Sequence, residues 1–132
     1  MAVDAPAAGS VSKLECVASV GGKGDAKMSL YRHLAPLTVN AVVRSLPLSS
    51  RVNLQPAMVC LFTQLRIGVE KPRMKFGRGE VAFLPSGGLI CVFLGEAQSD
   101  RPLNPIGKVE SGLEWFDSVR SGDVVSLKLP AP

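Results

Sequence analysis

Five consecutive positions, Ile90-Cys91-Val92-Phe93-Leu94, are apolar, and the turn-forming set Pro85-Ser86-Gly87-Gly88 stands just before them. The run is strand length. A strand with no polar position has no face to offer to water. It must therefore lie centrally, with a core on one side and a covering element on the other. Glu80 to Leu84, on the far side of the turn, reads as its hairpin partner.

The rest of the chain repeats this grammar of short strands and specific turns. Lys13 to Val20 alternates, with Leu14, Cys16, Ala18 and Val20 on one face. Gly21-Gly22-Lys23-Gly24-Asp25 is a turn, and Lys27 to Leu34 is the returning strand. Pro36 opens a short helix with Thr38 as its expected N-cap, Leu37, Ala41, Val42 and Leu46 on its stripe, and Pro47 as its stop. Arg51 to Gln55 and Met58 to Leu65 read as strands either side of Pro56. Arg66 to Arg78 is basic and irregular, and Gln98 to Leu103 reads as a polar loop. Asn104-Pro105-Ile106-Gly107-Lys108-Val109 leads into a short strand. Ser111-Gly112-Leu113-Glu114 has the spacing of a capping box for a helix running to Arg120. Gly122 stops that helix, and Asp123 to Leu129 alternates as the last strand.

The sum is an all-β chain, most economically a closed barrel of about eight strands with two short helices over its ends, because closure removes aggregation-prone edges. Residues 13–130 are expected to form one such domain. Residues 1–12, rich in Ala, Ser and Gly, are expected to be a flexible tail.

Hydrophobic residues make up 46% of the chain and charged residues 20%, which excludes wholesale disorder. Aromatics are only 5%, so Val, Leu, Ile and Ala must supply most of the core. A net charge of +4 is mild, and nucleic acid is not an expected partner. No apolar run nears the roughly 18 residues of a membrane span. The N-terminal stretch lacks the basic start and apolar centre of a signal peptide. A soluble, cytoplasmic protein is the expectation. Cys16, Cys60 and Cys91 all sit in apolar segments without Cys-x-x-Cys spacing, so they read as buried thiols. A disulfide between two of them would need neighbouring strands.

The order of elements resembles a cyclophilin-type barrel, and Pro36-Leu37-Thr38-Val39-Asn40-Ala41-Val42 is similar to the opening of that family's first helix. From Gly79 onward the likeness is closer to a small prokaryotic branch of cyclophilin-like proteins of largely uncharacterised function. It is carried by Gly79-Glu80-Val81-Ala82-Phe83, Pro85-Ser86-Gly87, Cys91-Val92-Phe93-Leu94-Gly95, Asn104-Pro105-Ile106-Gly107-Lys108-Val109 and Gly122-Asp123. Proline-isomerising members carry a Phe-His-Arg segment, then Phe and Gln-Gly-Gly. At the comparable place this chain has Leu61-Phe62-Thr63-Gln64-Leu65-Arg66 and no Gln-Gly-Gly. The resemblance thus implies the barrel and a concavity on its wall, and does not imply isomerase activity.

No catalytic constellation stands out. His33 is the sole histidine and has no Asp or Cys beside it, so no triad and no zinc site is expected. The Gly21 to Asp25 segment lacks the spacing and following helix of a phosphate loop. Arg66, Lys71, Arg73, Lys75 and Arg78 could follow a phosphate backbone, but only Phe76 is interleaved, and a solvated loop is the simpler reading. Trp115 is expected to pack on the barrel. On a barrel of this type a ligand would lie across the central strands. The candidate ligand-binding residues are then Phe62, Gln64, Arg66, Phe83, Phe93, Asn104 and Pro105, with no cofactor and no metal. The expected ligand is a peptide or a small molecule. A divergent prolyl isomerase using Arg66 or Arg51, and a regulatory subunit with a protein partner, are the competing readings. Oligomeric state is not encoded legibly.

Overall fold

A computed structural model describes residues 12–130. The expected tail at residues 1–12 lies outside them except for Ser12, whose carbonyl accepts from the Arg32 N–H at 2.8 Å. The elements are β1 (Lys13–Val20), β2 (Gly24–Tyr31), α1 (Pro36–Ser45), β3 (Leu48–Gln55), β4 (Met58–Phe62), β5 (Arg73–Phe76), β6 (Glu80–Leu84), β7 (Leu89–Phe93), β8 (Ala97–Ser111), α2 (Leu113–Asp117) and β9 (Val124–Lys128). Strands pair in the order β2-β1-β9-β3-β4-β7-β6-β8, and β8 returns to β2. Every pairing is antiparallel. That is a closed eight-stranded barrel, with β5 added outside it along β8.

The closing seam is tightest at a glycine. Gly107 of β8 pairs with Leu30 of β2. A Cβ at position 107 would fall on the Ser29 carbonyl. Only a residue without a side chain lets the two strands approach this closely. Gly24 serves a second close contact, because a Cβ there would stand 2.5 Å from the Trp115 ring. Trp115 thereby packs against the barrel core, as expected for a lone Trp.

Inside the barrel, Val59, Leu61, Val81, Phe83, Ile90, Val92 and Ile106 join side chains of β1, β2, β9 and both helices in one cluster. A second cluster lies outside the wall: Cys60, Phe76, Ala82, Cys91, Phe93 and Leu103. The covering element required by the apolar run is the arm made of β5 and the first half of β8. Ile90 and Val92 point to the interior, and Cys91 and Phe93 point to the arm. Phe93 stacks on Phe76 at 4.6 Å between centroids.

Several expectations need correction. Residues 98–103 are not a loop but part of the long β8, which runs on through Asn104 to Ser111. Its two prolines are accommodated because the ladders it joins carry bulges, between Arg73 and Lys75 and between Val81 and Ala82. The strand expected to reach Leu65 stops at Phe62, and β2 begins at Gly24 and ends at Tyr31. On α1, Leu37 is 70% exposed, and the buried stripe is Thr38, Val39, Ala41 and Val42. The expected capping box does not form. Ser111 lies in β8, paired with Lys27 of β2, Gly112 occupies the N-cap in a left-handed conformation, and α2 is one short turn.

Thr38 is likewise not the N-cap of α1. Ala35 holds that position without a side-chain bond. The cap comes from a distant carboxylate: Glu70 accepts from the Leu37 N–H at 3.0 Å, the Thr38 N–H at 2.9 Å and the Thr38 hydroxyl at 2.8 Å. A negative group at a helix N-terminus meets both the free N–H groups and the helix dipole.

Candidate functional site

The barrel wall opens at the seam between β3 and β4. The two strands pair from Val52↔Leu61 to Gln55↔Met58 and no further toward Leu48. There β3 turns its pairing to β9. The next ladder bond would run from the Phe62 N–H to the Arg51 carbonyl. Instead the Phe62 N–H donates to Ser50 Oγ at 2.8 Å, and Ser50 Oγ donates to the Arg51 carbonyl at 2.8 Å. A hydroxyl inserted into a ladder satisfies both backbone groups and holds the strands apart.

Beyond this wedge the chain from Thr63 to Pro72 joins no regular ladder, and it bends at Lys71, where φ is +46°. Thr63 anchors its start. Its N–H and hydroxyl both donate to the Gly88 carbonyl, at 2.9 and 2.7 Å, and its Oγ1 accepts from the Leu65 N–H at 3.1 Å. Leu65 and Ile67 turn inward onto the core, so Gln64 and Arg66 turn outward.

The result is a groove of about 660 Å³ between Ser45, Leu48–Arg51 and Phe62–Leu65. Phe62 is 54% exposed there. Leu48 and Leu65 add apolar surface, and Ser49, Arg51 and Gln64 add polar groups. Arg51 is steadied by a 3.3 Å bond from its Nη1 to the Gly122 carbonyl. A second groove, about 710 Å³, lies across the Thr63–Leu65 ridge and is lined by Arg66 and the Pro85–Gly88 turn. Neither groove has an acidic side chain on its lining.

The seven candidate residues therefore divide. Phe62 and Gln64 meet in the first groove, and Gln64 and Arg66 in the second. Phe83, Phe93 and Asn104 are fully buried, and Pro105 is buried beside them. These four line neither groove. Phe83 fills the barrel interior and Phe93 sits beneath the arm. Asn104 spends its amide on structure. Its Nδ2 donates to Thr38 Oγ1 at 3.0 Å and the Gly68 carbonyl at 2.9 Å, and its Oδ1 accepts from the Glu70 N–H at 2.7 Å. It ties the 63–72 segment to β8 and α1. Ser50 was not singled out from sequence. Its only signal is the polar pair Ser49-Ser50 inside an otherwise regular strand.

Most of the basic stretch is engaged. Arg78 makes a two-pronged pair with Asp117 at 2.8 and 2.7 Å, which holds that carboxyl below its usual range. Arg73 pairs with Glu80 and lies over the Phe76 ring at 4.8 Å. Lys71 donates to the His33 carbonyl at 3.3 Å. Arg66 and Lys75 make no such contacts among the described residues. Glu70 is also held below the usual carboxylate range. Its partial burial acts to raise it, but the three bonds from Leu37 and Thr38, with Lys71 nearby, outweigh that. No group of three or more His, Cys, Asp or Glu side chains suited to a metal comes together among the described residues. No helix among them is long and apolar enough to cross a membrane.

The model of a family described as Cyclophilin-like matches residues 16–128. The fold is similar to the solution structure of a hypothetical protein from Archaeoglobus fulgidus, with a TM-score of 0.77 and 23% identity, over 90% of this chain and 96% of that one. No curated protein matches the sequence.

Proposed function

The chain belongs to the cyclophilin-like family, and we propose that it is a binding module that takes an extended peptide, or a small amide-bearing molecule, in the groove between β3 and the Phe62–Leu65 segment. The observation that carries this reading is the wedge at Ser50. It opens the ladder beside a half-exposed aromatic ring and leaves Arg51 and Gln64 facing the same space. An aromatic platform with a few polar groups around it suits a ligand with one apolar side chain and amide carbonyls to orient. With Arg51 and no carboxylate on the lining, the groove favours acceptor-rich or anionic groups.

The test is a binding titration with a panel of end-blocked tetrapeptides, with and without proline, followed by backbone amide shifts. Binding should weaken at least about tenfold in Phe62→Ala, which corresponds to about 1.4 kcal/mol. Equal binding by Phe62→Ala and the parent protein would sink the proposal.

One observation favours a second reading, a weak prolyl isomerase. Arg51 and Phe62 line the same groove, so a cation and an aromatic ring face one space where a twisted amide could lie. An isomerisation assay with an X-Pro peptide separates the two. Rate enhancement lost in Arg51→Ala with the fold intact would promote this reading over simple binding.

A further inference from the structure

We propose that Cys60 and Cys91 form a dithiol site at which hydrogen peroxide, or another hydroperoxide of similar size, drives formation of an intramolecular disulfide. The two residues are directly opposite in the β4–β7 ladder. Their Sγ atoms are 3.3 Å apart. The Thr63 N–H bonds the Gly88 carbonyl at one end of this ladder, and the Leu94 N–H bonds the Ala57 carbonyl at the other. Alternation inward from either end makes Cys60–Cys91 a pair without backbone bonds of its own. Such pairs have Cα atoms about 4.5 Å apart, within the range of about 4.4–6.8 Å that a disulfide spans. Little backbone movement separates the two states.

Access comes from outside the barrel. Both thiols are buried beneath the arm, yet both line a cavity of about 330 Å³ whose rim carries Gln55, Ser99, Asp100 and Arg101. That space admits a molecule of peroxide size, since a water takes about 30 Å³. A bulky disulfide oxidant would have to displace the arm.

The pair also divides the chemistry. The contact between the two sulfurs lowers Cys60, while the same contact, with burial, raises Cys91. Cys16 is different. It is buried alone on β1 and pushed up to about 11, chiefly by burial. The Cys60 thiolate attacks one peroxide oxygen and the O–O bond breaks. This leaves a sulfenic acid at Cys60 and a hydroxide that takes the released proton to become water. The Cys91 sulfur then attacks Cys60 Sγ and loses its proton. The S–O bond breaks, and the departing hydroxide takes that proton as a second water. Two thiols are oxidised by two electrons and one peroxide is reduced to two waters.

The test treats the full chain with hydrogen peroxide while folded, then denatures it, alkylates free thiols and measures intact mass with peptide mapping. The expected result is a mass lower by two hydrogens before alkylation, one alkylated thiol (Cys16) in place of three, and a Cys60–Cys91 peptide crosslink reversed by dithiothreitol. Cys16→Ser should leave the crosslink intact, and Cys91→Ser should stop at the sulfenic acid. Should Cys91→Ser fail to fold, the peptide map of the parent protein decides alone. Three alkylated thiols after treatment, a crosslink through Cys16, or a crosslink between two chains would overturn the proposal.

Discussion

Cys60 and Phe62 lie on the same face of the same strand, two residues apart, and they have opposite fates. Cys60 is 1% exposed and Phe62 is 54% exposed. The difference is the reach of the arm. β5 and the first half of β8 cover Met58, Cys60, Cys91 and Phe93. Past Cys60 the arm no longer lies over the wall, and the Ser50 wedge opens the ladder on the other side. The lesson is that this barrel has two kinds of outer surface. One is turned into a second core by an added layer, and the other is left as a groove.

Four perturbations break or sharpen this contrast, taken from the largest expected effect down. Gly107→Ala attacks the closure on which both regions hang. A methyl group on the Ser29 carbonyl should cost at least about 4–5 kcal/mol, in the exceptional range for one substitution. Circular dichroism during urea unfolding measures it, and near-parental stability would refute the closing role of Gly107. Phe93→Ala attacks the covered region. Losing a fully buried ring and its stack on Phe76 should cost about 3–5 kcal/mol, read from the same unfolding curves.

Asn104→Ala leaves Thr38, Gly68 and Glu70 without their shared partner. A loss of about 2–3 kcal/mol is expected. In an NMR spectrum its largest shifts should fall along 64–70 and in the first turn of α1. The last and smallest perturbation is pH. Glu70 has a folded-state pKa below its unfolded value. Its contribution to stability is therefore present above the ordinary carboxylate range and is lost as pH falls through the lower folded value. Glu70→Gln should flatten that part of the stability–pH curve, and an unchanged acid slope would show that Glu70 is not the cap.

Much of this fold was legible in residues whose message is local. The apolar run at Ile90 to Leu94 demands cover on both faces, and it has cover on both. The turns at Gly21 and Pro85 fall between paired strands. What failed to read were features set by distant partners. Gln98 to Leu103 is polar and carries Pro102, yet pairing with β5 makes it strand. The helix cap at α1 comes from Glu70, more than thirty residues away. The same limit governed the site. Phe62 and Phe93 are equal candidates in the sequence, and only the tertiary path of the arm separates them. Asn104 has the look of a ligand-binding amide, and its three bonds inside the protein are visible only once α1 and the 68–70 segment are in place.

The most direct test of the contrast between covered wall and open groove is an amide-shift map of the ¹⁵N-labelled protein titrated with the end-blocked tetrapeptide that binds best. The groove reading predicts saturable shifts at Leu48 to Arg51 and Phe62 to Leu65, with Val81, Phe93 and Leu103 unmoved, and loss of those shifts in Phe62→Ala. Saturable shifts confined to the arm, or shifts at the seam that persist in Phe62→Ala, would contradict it.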